Sequence, residues 1–428
     1  MLLDLSKKLL GKLLYHLFIF FYNAGIRIAS IWNAKAKLWV NGRKTFPSIE
    51  NTTQQKVWMH CASLGEFEQG RPVLEKIKEQ YPSVKIILTF FSPSGYEVMK
   101  NYKGADHIFY LPMDSQSNAS KMIDAIQPDL VLWIKYEFWY FYLTELKKRN
   151  IPLLMISGLF REEQPFFQWY GKLWRRMLQC FTHFFLQNKR SSELLLHIIL
   201  LKSDRVSIGG DTRFDRVIQI AEKFEPLPLI EKFCNGQKTV VAGSTWEEDE
   251  EEWTHYVKAH PEIKFIFAPH EIDSENLKDV QKEFPGSIFY SDLSGKYQAA
   301  ESDQLPNMLI IDNIGMLSRL YRYADITFVG GGFNDDGIHN VLEAAVYGKP
   351  VLHGPEYEKF AEAVELVESG AGIAINNALE LEKIMTELWN DPALLQTKGE
   401  TAKQYVYSKA GATAKVINYI QEKRLLTN

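Results

Sequence analysis

The sequence predicts an α/β chain built from two doubly wound, Rossmann-like domains that face a central cleft. Three observations carry this. At 428 residues the chain exceeds the length over which one hydrophobic core keeps growing. From residue 56 onward, short apolar runs alternate with helix-like runs, the pattern of a parallel sheet with right-handed crossovers. The alternation starts afresh near residue 238, after the stretch EPLPLIEKF.

Taken in order, strands are expected at 56–60, 85–91, 107–112, 129–134, 152–157, 181–187 and 205–210. Helices fall between them, at 68–80, from Ser94 or Gly95, at 115–126, 138–149 and 164–180. The second series has strands at 238–245, 264–271, 287–292, 307–313, 326–332, 349–354 and 370–375. Its helices fall at 247–259, 274–284, 315–323, 340–347, 358–369 and 378–390. These strands are continuously apolar, as expected when helices cover both faces of a sheet. The domain reading is 1–45 for an N-terminal segment, 46–212 for the first Rossmann-like domain and 213–237 for a linker. The second domain is 238–408, and 409–428 is a closing helix that can cross back to the first.

A net charge of −4 gives no electrostatic footprint for nucleic acid. Cys61, Cys180 and Cys234 have neither metal nor disulfide spacing, so each reads as a small core hydrophobe in a reducing compartment. No metal and no cofactor are expected. Charge is uneven, however: before Glu50 stand eight basic residues and one acid, Asp4. Among them lies LLYHLFIFFYNAGI, residues 13–26, apolar and aromatic but short of the roughly 20 residues a spanning helix needs. A helix lying in the interface of an anionic membrane surface fits better than an ordinary buried helix, because basic flanks and aromatic residues occur together.

Five stretches can carry chemistry. HCASLGEFEQG, residues 60–70, puts Ser63, Gly65 and Glu66 at a strand-to-helix turn, where open α/β sheets bind ligands. Glu66 is there either a general base or a helix N-terminal carboxylate favoured by the macrodipole. WIKYEFW, residues 133–139, puts Glu137 beside Lys135 and three aromatic residues, as a structural acid or a second active-site carboxylate. GGDTRFDRV, residues 209–217, offers Arg213, which can reach a phosphate or form an interdomain salt bridge. VGGGFNDDGIHNVLEAAVYGKP, residues 329–350, ends a strand in glycines and opens a helix at Asn340. Gly331 and Gly332 can offer amides to an anion, and Glu343 can accept bonds from ribose hydroxyls, which together favour a nucleotide-sugar site over a plain capped turn. In VVAGSTWEEDEEEW, residues 240–253, the six acids read as a solvated face, with Gly243 to Thr245 available to a phosphate.

In this order and spacing the stretches resemble the 3-deoxy-D-manno-octulosonic acid (Kdo) transferases of lipopolysaccharide assembly, across nearly the whole chain. HCASLGE is similar to the family's His-x-x-Ser-x-Gly-Glu, which implies a general-base role for Glu66. GIHNVLEAA is similar to Gly-Gly-His-Asn-x-Leu-Glu, which implies nucleotide contacts from Asn340, Val341, Leu342 and Glu343. Gly210 to Asp215 matches Gly-x-x-Lys-Phe-Asp with Arg213 in place of lysine, keeping a positive charge. Lys135 to Trp139 matches Glu-x-Glu-Leu-Trp, keeping Glu137 but with Lys135 at the first acid. The family's Pro-Arg-His-Pro-Glu-Arg loop stands here as Ala268 to Asp273, so Pro269 and His270 occupy it without arginine. Its Met-Gly-Glu stands as Ile314, Gly315 and Met316, where backbone contacts to the base would survive. The resemblance implies a GT-B-like fold and inverting, metal-independent transfer of Kdo from CMP-Kdo to a lipid A precursor, at the cytoplasmic face of the inner membrane. Two other readings stay open: a GT-B enzyme using a UDP-sugar, and a non-catalytic membrane-bound scaffold with this fold.

Overall fold

The computed structural model describes residues 2–427 apart from 51, 136, 200, 294–305 and 336. The side chains of residues 2–10, and so of Asp4, Lys7 and Lys8, lie outside that description. The described residues form two compact units, Met1–Arg216 with Ala410–Asn428, and Val217–Lys409.

The first unit holds β1 (Lys56–Cys61), β2 (Lys85–Phe90), β3 (His107–Tyr110), β4 (Leu130–Ile134), β5 (Leu153–Gly158), β6 (His183–Leu186) and β7 (Val206–Ile208). They form one parallel sheet in the order β3-β2-β1-β4-β5-β6-β7. The second holds β8 (Thr239–Thr245), β9 (Lys264–Pro269), β10 (Ile288–Phe289), β11 (Met308–Ile310), β12 (Ile326–Val329), β13 (Val351–His353) and β14 (Gly372–Ala374). Its sheet is also parallel, ordered β10-β11-β9-β8-β12-β13-β14. Every residue of β1 and β4 is buried, which is why β4 reads as an unbroken apolar run and β1 as one interrupted only by Lys56 and His60.

Several expectations change in detail. The N-terminal segment is part of the first unit rather than a separate piece. Its helix Leu2–Ala29 buries Tyr15 and Ile19, and Tyr15 donates a 2.6 Å hydrogen bond to the buried Asp114. Its other face leaves Leu17, Phe18, Phe20 and Phe21 exposed. Among the described residues no helix is long and apolar enough to cross a membrane. The helical region 164–180 contracts to Lys172–Leu178. Pro165 lacks an N–H to continue a helix, and Arg175 Nη1 instead serves the turn carbonyls of Phe166 and Gln168, at 3.1 and 2.8 Å. The linker 213–237 is mostly helical, as Thr212–Glu222 and Pro228–Cys234. The closing helix expected at 409–428 is Ala412–Glu422, set off from the preceding Pro392–Ser408 at Gly411, whose φ of +106° no helix permits. Asp215 takes the Gly411 and Thr413 amides, both at 2.6 Å, and Ala412–Glu422 then packs on the helix Leu64–Gln80 of the first unit.

Candidate functional site

In each sheet some of the candidate residues, Glu66 and Glu137 in the first and Gly331 and Gly332 in the second, follow strands that flank the point where the chain switches direction, the place at which open α/β sheets bind ligands. In the first sheet that point lies between β1 and β4, in the second between β8 and β12.

β1 carries His60 in a wholly buried strand, so the imidazole needs partners. Its Nε2 lies 2.7 Å from Glu137 Oε2 and its Nδ1 lies 2.9 Å from Thr89 Oγ1. Trp58 Nε1 donates to the same hydroxyl at 2.8 Å. A neutral imidazole protonated on Nε2 satisfies the chain: Trp58 donates to Thr89, Thr89 to His60, and His60 to Glu137. Trp139 Nε1 adds a 3.0 Å donor to the same carboxylate oxygen. Glu137 is thus held from behind while its side chain stays 16% exposed. The motif HCASLGE contains His60 but gives it no role; the signal for one is a polar residue towards the carboxyl end of a buried strand.

Glu66 sits half-buried in the first turn of Leu64–Gln80, after the N-cap Ser63. Its Oε2 accepts the Ala62 backbone N–H, so the carboxylate folds back over the end of β1. The helix-terminal role is therefore filled, and it holds the carboxylate at the ligand-binding edge. Ser63 makes no side-chain cap bond, and Gly65 has open space on its side-chain face. Burial pushes the Cys61 thiol well up, and the charges of Glu66 and Glu137 push it further, so both carboxylates act on this one strand end.

Arg213 opens the helix Thr212–Glu222 and is half-buried. Its Nε and Nη2 both reach Asp211 Oδ2, at 2.9 and 2.8 Å. Asp211 Oδ1 takes Gln69 Nε2 at 2.8 Å, which ties Arg213 to the helix that carries Glu66. Burial raises the Asp211 carboxyl, but Arg213, Gln69 and Lys135 hold it below the ordinary range. Lys135 itself ends β4 at φ +53°, a left-handed conformation of the kind that gathers at functional edges.

In the second unit the glycine turn differs from the expectation. Gly330 donates to Gly243 O at 2.9 Å and Gly331 donates to Asp249 Oδ2 at 2.7 Å. Asp249 also takes the Trp246 amide at 2.9 Å. The anion that the Gly331 amide meets is thus the chain's own carboxylate. Gly332 is glycine because of packing, since a Cβ there would lie 2.7 Å from Gly354 Cα. The acid run is corrected with it: Asp249 and Glu250 are buried, not solvated. Burial pushes Asp249 up to about 6 against the pull of the Gly331 and Trp246 amides. It pushes Glu250, bonded by Thr245 Oγ1 at 2.7 Å, up to about 7. Six consecutive acids gave no sign of which two turn inward.

The helix expected at 340–347 is one turn, Leu342–Ala345, too short for a sizeable macrodipole. Asn340 Oδ1 accepts the Leu342 amide at 3.2 Å, and Asn340 Nδ2 donates to Glu343 Oε1 at 3.1 Å. Glu343 is half-buried, whereas Val341 and Leu342 are fully packed in the core. Pro269 ends β9 opposite Thr245. The exposed His270 that follows lies flat over two further rings, Trp246 at 4.6 Å and His339 at 4.4 Å. Those two are nearly coplanar, at 10°, and Trp246 Nε1 donates to His339 Nε2 at 3.1 Å. Ile314 is exposed, Gly315 turns at φ +97° and Met316 is buried. Among the described residues no group of three or more His, Cys, Asp or Glu converges as metal ligands.

Residues 39–216 match the family model described as 3-Deoxy-D-manno-octulosonic-acid transferase (kdotransferase). Most of the chain is also similar to curated Kdo transferases. That of Chlamydia trachomatis serovar A is 27% identical over 361 residues, which cover 82% of this chain and 81% of the relative. The family model and these relatives make the chain similar to the Kdo transferases. Enzymes that carry the family's name are glycosyltransferases. A bifunctional glycosyltransferase/methyltransferase of Fusobacterium nucleatum is 25% identical over 370 residues, covering 83% of this chain but only 56% of the relative's own length. Among solved structures, the UDP-GlcNAc 2-epimerase of Neisseria meningitidis bound to UDP-GlcNAc superposes with a TM-score of 0.60 at 17% identity, over 86% of this chain and all of that one. This likeness and the two parallel sheets make the fold GT-B-like.

Proposed function

We propose that this chain transfers Kdo from CMP-Kdo to a lipid A precursor, with inversion and without a metal, at the cytoplasmic face of the inner membrane. The observation that carries the reading is the pair of carboxylates, Glu66 and Glu137, on either side of the first sheet's switch point in a chain similar to the Kdo transferases. Glu66 takes the proton from an acceptor hydroxyl as that oxygen bonds to the anomeric carbon of Kdo. The bond from that carbon to the phosphate oxygen breaks, and CMP leaves with the electron pair. Glu137, held by His60 and Trp139, supplies a fixed negative charge beside the attacking oxygen. Arg213, oriented by Asp211, offers positive charge to the departing phosphate, where stabilisation counts most.

On the donor side, the amide of Gly331 serves Asp249, so the phosphate is met by His270 and by the backbone near Gly332 and His339. Glu343 and the backbone of Ile314 to Met316 address the nucleoside. Ser63 and Gly65 leave room for the acceptor sugar. The aromatic outer face of the N-terminal helix and its basic residues suit an anionic membrane surface.

The test is Glu66→Gln assayed with CMP-Kdo and a tetra-acylated diglucosamine bisphosphate. Transfer should fall by about 10² to 10⁴, the usual worth of a general base, while CMP still binds. Full transfer by this variant removes Glu66 as the base. A nucleotide panel in which UDP or a UDP-sugar outcompetes CMP overturns the donor.

A further inference from the structure

One cavity of the described molecule is unrelated to the nucleotide side. It lies within the first unit, has a volume of about 850 Å³, and runs between the N-terminal helix and Lys172–Leu178. Leu14, Phe18, Trp169, Leu173 and Met177 give it apolar walls. Trp169 is 90% exposed and Phe18 55%, a cost in free energy that a monomer surface seldom carries without a ligand. A second cavity, of about 340 Å³, shares Phe138, Trp139 and Trp174 with the first, and its lining includes Glu137. The two cavities thus flank the same aromatic side chains, and the carboxylate held by His60 and Trp139 borders the second.

The rim is cationic. Lys172, Arg175 and Arg176 stand on the groove-lining helix, whose sequence KLWRRML contains no acid. A ligand that matches all three features has a long apolar chain, an anionic group near the chain's root, and a hydroxyl beyond it.

We propose that this groove seats an acyl chain of the acceptor lipid, with the lipid's phosphate against Lys172, Arg175 and Arg176 and its sugar hydroxyl directed towards Glu137. The inference rests on the lipid-acceptor reading above and adds to it where the lipid is held. The chain acts as a ruler: its depth in the groove sets how far the headgroup reaches towards Glu137. Acceptor recognition therefore depends on acyl length as well as on the sugar. At the usual worth of a buried methylene, trimming a seated chain by two carbons raises KM about tenfold with little change in kcat.

The test uses the full chain and two exposed, fold-neutral positions, as Trp169→Glu and Phe18→Glu. Transfer is measured to the tetra-acylated diglucosamine bisphosphate and to the same headgroup with its chains hydrolysed off. The variants should raise KM for the acylated acceptor at least tenfold and leave the de-acylated one unchanged. In parallel, a brominated-acyl, phosphate-bearing amphiphile below its micelle concentration should quench the fluorescence of the tryptophans around the groove, saturably in the parent chain and weakly in Phe18→Glu. Saturable quenching without any transfer from CMP-Kdo would sink the assigned reaction and leave the groove standing. Equal KM for both acceptors in the parent chain, or absent quenching, overturns the groove. So does a variant defect that appears only as weaker binding to phosphatidylglycerol vesicles, which would make the surface a general membrane contact.

Discussion

Replacing Asp249 by Asn gives the sharpest physical test of the second unit. The carboxylate is wholly buried, accepts the amides of Trp246 and Gly331, and has a neighbour, Glu250, that is buried too. Burial moves its pKa from 3.8 to about 6. At 1.36 kcal/mol per pH unit this corresponds to a cost of about 3 kcal/mol for keeping the group charged in the folded state at neutral pH. The sign follows from proton counting: between pH 3.8 and 6 the folded chain binds more protons than the unfolded one, so stability falls as pH rises through that window and is level on either side. Asparagine keeps an oxygen for the two amides and removes the charge. Asp249→Asn should therefore flatten the pH dependence by about 3 kcal/mol and leave the second unit at least as stable as the parent at pH 8. Part of the upward push on Glu250 comes from Asp249 and should relax with it. Unfolding of a chain with two units need not be two-state, so a probe local to each unit is needed. The buried thiols provide one: Cys234 lies in the second unit, Cys61 and Cys180 in the first. Labelling rates in graded denaturant, corrected for thiolate fraction, give the opening free energy at each. An unchanged pH slope at Cys234 in Asp249→Asn would refute the argument, as would an equal change at Cys61.

Three further outcomes follow from the geometry. His60→Ala removes a charge-assisted bond to Glu137 worth about 1.5–3 kcal/mol, so kcat should fall roughly ten- to hundredfold with CMP affinity intact; a loss confined to KM for CMP-Kdo would contradict the positioning role. Thr89→Val, which removes the hydroxyl that fixes His60, should lower kcat in the same assay by a smaller factor. Gly332→Ala sets a methyl against the backbone of Gly354 and should cost about 1–3 kcal/mol of second-unit stability, whereas Gly65→Ala meets nothing, gains helix propensity, and should melt no lower than the parent.

Much of this chain is legible without coordinates. Strands such as KVWMHC and LVLWI announce themselves because a strand covered on both faces must be almost wholly apolar. The strand-to-helix turns at Glu66 and at Gly331 are equally readable, since small residues and a following helical period mark them. What the one-dimensional pattern lacks is any statement of which strand ends are neighbours. Sheet order brings β4 beside β1, and only then does Glu137 meet His60, 77 residues away. The same limit hides Asp249: in a run of acids every position looks alike, and the glycine turn that draws this carboxylate inward lies 82 residues further on. The groove beside the N-terminal helix is likewise assembled from residues far apart in sequence, because Leu14 and Phe18 meet Trp169 and Trp174 only after folding. Composition and periodicity determine which segments form and which face is apolar, because local sterics and burial decide those. The partners of a buried charge are decided by sheet order, because desolvation must be repaid by whatever donor the tertiary fold brings within three ångströms.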